Sequence, residues 1–194
     1  MKLQSVITRL LPFSILGAIV ATLCDANHVF TETLSYPEPF LFGQAIFVLP
    51  GFFVAFTIMA LNYHYVTAVF PKSAHKGISM SAGTLAPFVE SFLFFMMVYL
   101  LSGFGNYHPD LLSIIFFGSF FIRLAFTYEK TFILLFAIIL GIGGMFVEGA
   151  MTQVDLVHYR EPEIFGVPYW LGGVYMHGAL ALREAMRYFV YRKG

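Results

Sequence analysis

Six long apolar blocks follow one another along the chain, separated by short stretches that hold most of its acids, bases and prolines. They span approximately Leu10–Cys24, Phe40–Leu61, Pro87–Phe104, Leu111–Tyr128, Thr131–Met151 and Gly166–Phe189. Crossing a bilayer core of about 30 Å takes roughly 20 helical residues. The first block is short and is expected to extend at both ends. The pattern predicts an all-α polytopic membrane protein: six transmembrane helices, one domain over residues 1–194, and no soluble domain.

Local signals punctuate these helices. Pro87 opens the third, where a missing N–H costs nothing, and Glu90 suits the positive end of the helix dipole. Pro109 and Asp110 open the fourth in the same way. Pro50 falls inside the second block and is expected to kink it. Gly17/Ala21 and Ala137/Gly141, small residues four apart, would let neighbouring helices approach. Lys2 and Arg9 before the first block resemble a signal peptide, but "CDANHVF" follows instead of a small-residue cleavage site, so an uncleaved helix is expected.

Composition sharpens the assignment. The chain is 59% hydrophobic and 11% charged, against about 25% charged residues in soluble domains. Charge is also sorted by side. Ten of the eleven basic residues (Lys2, Arg9, Lys72, Lys76, Arg123, Lys130, Arg183, Arg187, Arg192 and Lys193) fall on one side, and Arg160 alone on the other. The bias predicts that both termini are cytoplasmic: an inner-membrane protein if bacterial, an endoplasmic-reticulum protein if eukaryotic. Asp25, Glu32, Glu38, Asp110, Glu148, Asp155, Glu161 and Glu163 gather on the far side. The single Cys24 excludes an internal disulfide, and nucleic acid is not an expected partner.

One phrase occurs twice. "YPEPFLFG" runs from Tyr36 to Gly43 and "YREPEIFG" from Tyr159 to Gly166, 123 residues apart. The same offset pairs Asp25 with Glu148, so a parallel internal repeat is expected over about 15–61 and 138–189. Such repeats often flank a site near a pseudo-symmetry axis, which predicts that the two phrases meet at one rim. Glu–Pro before a helix is also an ordinary helix start with Tyr and Phe as interfacial anchors.

The far side carries two D-x-x-H pairs, Asp25/His28 and Asp155/His158. On a helix this spacing puts both residues on one face, where they could act as acid and base or hold a metal. Solvated rim groups are the plainer reading, and neither a metal nor a cofactor is expected. Glu148 and His177 are ionisable groups within apolar helices, where such residues usually face the bundle interior or a wet cavity. Arg123 and Arg183, near the inner helix ends, are expected to snorkel.

"FFIRLAFTYEKTFILLFAIILGIGG" and "VHYREPEIFGVPYWLGGVYMHGALALREAM" resemble the C-terminal half of the Insig (insulin-induced gene) family, in its bacterial form. The family's Thr-aromatic-Asp-Arg reads Thr127, Tyr128, Glu129, Lys130 here, and its Tyr-x-x-Pro-Asp/Glu reads Tyr159, Pro162, Glu163. Its Trp-Leu-Pro reads Trp170, Leu171, with Gly172 replacing the proline. The resemblance implies six membrane helices, cytosolic termini and a lipid pocket. Animal members bind oxysterols and hold partner membrane proteins; bacterial members resemble binders of diacylglycerol or other lipids. The partner-recognising aspartate falls at Glu129, which is glutamate here.

Two functions follow. The first is a non-enzymatic binder of a sterol- or diacylglycerol-like lipid, with Gln44, Glu148, Trp170, Tyr175 and His177 as contacts in an apolar pocket. The second is a membrane-embedded lipid isomerase or cyclase using Asp25, His28, Glu148 and His158. A transporter relaying protons through Asp25 and Glu148 ranks third. Other membrane proteins are admissible partners, and the oligomeric state is left open.

Overall fold

A computed structural model describes residues 3–70 and 78–192. Lys2, Lys72, Lys76 and Lys193, four of the residues that set the charge bias, lie outside them. The helices are α1 (Leu3–Phe30), α2 (Val48–Val69), α3 (Leu85–Phe104), α4 (Pro109–Ala125), α5 (Lys130–Gln153) and α6 (Trp170–Ala185). A π-helical segment, Met186–Val190, prolongs α6, and a 3₁₀ turn, Ile78–Met80, precedes α3. Two short strands, β1 (Leu34–Ser35) and β2 (His158–Tyr159), pair antiparallel with Leu34 opposite Tyr159 and Ser35 opposite His158.

The chain is an integral multi-pass membrane protein. Residues Gln4–Phe30 and all of α2, α3 and α5 are long and apolar enough to cross a bilayer. α4 and α6 are shorter, at 17 and 16 residues. Side chains such as Ile15, Leu23, Ile114, Ile122, Ile142 and Phe146 stand exposed around the outside, as a lipid-facing surface requires.

α6 is the hub. Thirteen of its sixteen residues are buried, and α3, α4 and α5 all pack on it. Small residues make this possible. A Cβ on Gly173 would lie 2.7 Å from Phe116 Cβ of α4, so the two backbones meet at hydrogen-atom clearance. α1 packs on α2 and α3, with the Phe56 ring lying over Gly17. Phe13, Phe88, Phe92, Phe116, Phe120, Phe132 and Phe136 fill the core.

Three sequence expectations need correction. α1 does extend at both ends, but α2 begins at Val48 instead of Phe40. The apolar residues before it form a tight turn, with Leu41 bridged to Gln44 and Phe42 and Gly43 at positive φ. Pro50 therefore occupies the first turn of α2, where its missing N–H breaks no helical bond and gives no reason for a kink. α6 likewise starts at Trp170 instead of Gly166, after a turn bridging Ile164 to Val167.

Candidate functional site

The end of the bundle opposite the termini carries the polar core. Asp25, near the end of α1, is 2% exposed. Its Oδ2 accepts from the Tyr36 hydroxyl at 2.8 Å and from Gln44 Nε2 at 2.7 Å. Gln44 also donates to the Thr22 carbonyl, which fixes its amide. Glu148, half-buried on α5, accepts from the Tyr159 hydroxyl at 3.2 Å and from the Tyr175 hydroxyl at 2.9 Å. Tyr175 reaches it by lying flat across Gly144, where no Cβ would fit.

The two arrangements correspond. In each, a tyrosine beside the strand pair bonds a helix carboxylate eleven residues earlier. Glu32 and Asp155, Phe42 and Phe165, and Gly43 and Gly166 all adopt positive φ, each pair 123 residues apart. The β1–β2 ladder draws the two tyrosines into one cluster. Burial pushes both hydroxyls well above the usual tyrosine range, and the charges of Glu148 and Asp25 push them further. Both tyrosines therefore stay protonated and act as donors.

Above the cluster a surface depression of about 220 Å³ is lined by Val29, Glu32, Leu34, Ser35, Tyr159 and Arg160, with His158 at its edge. Arg160 pairs with Glu32 at 2.5 Å and lies over the Tyr107 ring. His158 pairs with Asp155 at 2.9 Å, with both side chains at least half exposed. The second D-x-x-H is thus a solvated rim pair.

The first is not a pair at all. His28 is 1% exposed and turns from Asp25 to Ser102 of α3, with Nε2 2.7 Å from Oγ. Ser102 donates its one hydrogen to the Tyr99 carbonyl at 2.6 Å, so its oxygen can only accept. Nε2 of His28 must then carry the proton, which leaves Nδ1 as an acceptor. Nδ1 is buried with no partner. The ring stacks on Trp170 at 6.1 Å, and Nε1 of Trp170, a donor only, is also buried without a partner. Trp170 meets Tyr159 edge-on at 6.4 Å, which ties this pair of rings to the carboxylate cluster.

His177, near the middle of α6, lies apart from these groups. Arg123 Nη1 stands 3.1 Å from Nδ1. A guanidinium only donates, so Nδ1 accepts and Nε2–H serves the Phe116 carbonyl at 3.0 Å, with Ser119 Oγ at 3.1 Å. Both ring nitrogens are engaged by the protein. Arg123 does not snorkel; it turns inward. Glu129, at the opposite end, adopts positive φ before α5 and accepts from the Ser79 amide at 2.8 Å and from the Ser79 hydroxyl. It anchors the turn before α3.

The structure brings Asp25, Gln44, Glu148, Trp170 and Tyr175 to this end of the bundle together with Tyr36 and Tyr159, which the sequence presents as interfacial anchors. The 11-residue spacing of carboxylate and tyrosine inside the repeat carried the signal of their pairing. Nothing in the sequence marks Ser102 as the partner of His28.

The fold is that of a known membrane family. The structure matches the Insig homologue MvINS from Mycobacterium vanbaalenii with a TM-score of 0.74 and 16% identity, covering 100% of this chain and 98% of that one. A cross-linked trimer of an MvINS variant matches equally. No protein-family model matches the chain, and no curated protein does.

Proposed function

We propose that the protein is a non-enzymatic binder of a neutral lipid that carries both a hydroxyl and a carbonyl or ether oxygen, as diacylglycerol does. The observation that carries the reading is the pair of unpartnered atoms on the stacked His28 and Trp170 rings. An unmatched buried polar group costs about 1–3 kcal/mol, and a ligand that satisfied both would remove that cost. A lipid hydroxyl would donate to Nδ1 of His28, and an ester oxygen would accept from Nε1 of Trp170. Glu148, with Tyr159 and Tyr175 engaged on it, is linked to Trp170 through the Tyr159 ring. Gln44 supports the neighbouring carboxylate. His177 is occupied by protein groups, and on this reading its role is to hold Arg123.

The reading rests on an Insig-type bundle in which all six helices cross the membrane, α6 completing its span with the Met186–Val190 segment. The segments at about 15–61 and 138–189 form an internal repeat about a two-fold axis through the Ser35–His158 pair. Both termini face the cytoplasm, so a reporter fused after Gly194 should read cytoplasmic. The direct test is Trp170→Phe, which keeps an aromatic ring and removes the donor. Lipid retention by purified protein should fall about tenfold. Retention unchanged in both Trp170→Phe and His28→Phe would remove the basis for the reading.

A further inference from the structure

We infer that a second lipid site, for the phosphate of an anionic glycerophospholipid, lies in the cleft between α3 and α4 on the side of the termini. The two helices both pack on α6, but their backbones stay apart, and side chains of both meet across the gap with α6 as its floor. Arg123 of α4 is half-buried in it. Its guanidinium lies 4.1 Å from the Phe94 ring centroid of α3, and Nη2 reaches Ser91 Oγ at 3.4 Å. Nη1 bonds the Nδ1 lone pair of His177, whose ring stacks on Phe94 at 5.3 Å.

Every one of these partners is neutral. A protonated imidazole has no lone pair to offer a guanidinium, so His177 holds the cation in place without cancelling its charge. Glu90 and Arg183 act on Arg123 electrostatically, but Glu90 is exposed and forms no ion pair with it, and Arg183 pairs with Glu184. A guanidinium has five N–H donors, and these contacts engage two. Isolated charges within a membrane protein are costly and normally find a counter-charge. The planar fork matches a phosphate bidentately, and the basic residues gathered on this side attract anionic lipid. The site is independent of the His28–Trp170 site and takes a different lipid class.

The test is competition for delipidated full-length protein among phosphatidylglycerol, phosphatidylcholine and dioleoylglycerol, read by native mass spectrometry and by the thermal unfolding midpoint. Wild type should retain phosphatidylglycerol about tenfold better than phosphatidylcholine. Arg123→Gln should abolish that preference, and Arg123→Lys, a point charge without the fork, should reduce it. Lys130→Gln, a rim charge outside the cleft, should leave it intact. Equal retention of both phospholipids by wild type would mean an annular lipid only and overturn the inference, whether or not the variants fold. A loss in Lys130→Gln as large as in Arg123→Gln would overturn it too. Neither result would bear on dioleoylglycerol at the outer-half site, which Arg123→Gln should still retain.

Discussion

A tyrosine hydroxyl has one hydrogen to donate, and Tyr36 and Tyr159 each give it to a carboxylate. Breaking such a bond in a buried setting costs about 1–3 kcal/mol. Tyr36→Phe and Tyr159→Phe should each lower thermal stability in detergent by that order, because Asp25 keeps Gln44 and Glu148 keeps Tyr175. The pH dependence has a definite sign. Both hydroxyls are held above their ordinary value of 10.0 by burial and by negative charge. A raised folded value means that the contribution to stability is complete below about pH 10 and is lost as pH rises through that range. Unfolding midpoints should therefore fall on the alkaline side, and less steeply in the Tyr36→Phe, Tyr159→Phe double variant. A double variant that loses stability as steeply as wild type would assign the alkaline loss to other residues. The sequence shows these tyrosines only as interfacial anchors because helical spacing compares residues within one helix. The partners of Asp25 arrive from the following loop, and Asp25 and His28 face different neighbours despite their three-residue spacing.

Among the elements, α6 decides the packing, and its glycines are positions of contact. Gly173→Ala would drive a methyl into Phe116, displacing α4, and should destabilise by about 1–3 kcal/mol. At Gly118 of α4, a Cβ would meet nothing within 4 Å. Gly118→Ala should therefore be neutral or stabilise by up to about 1 kcal/mol through helix propensity. Comparable losses in both would mean that glycine serves flexibility here instead of close approach. Helix number, order and most inner ends were legible from the apolar blocks. The outer starts of α2 and α6 were not, because Phe40–Phe47 and Ile164–Tyr169 are apolar enough to pass for helix. Gly43 and Gly166, at φ +74 and +83, are the residues that end the run, and hydrophobicity counts them as neutral.

For the whole molecule, low charge and sorted charge identify a membrane bundle, and the "REPEIFG" and "YWLGG" stretches resemble the family whose fold the structure shares. The unpartnered atoms were less legible, since they are a property of packing. His28, expected as half of an acid–base pair, bonds Ser102 instead, and its Nδ1 is buried without a protein partner. The most direct test of the lipid-binding claim is mass spectrometry of lipid co-purified with wild type and with the Asp25→Asn, Glu148→Gln double variant in mild detergent. A binder should carry one neutral lipid with a free hydroxyl and an ester oxygen, chemically the same in both proteins. An unmodified precursor accumulating with the double variant, or a wild type that carries no such lipid, would contradict the claim.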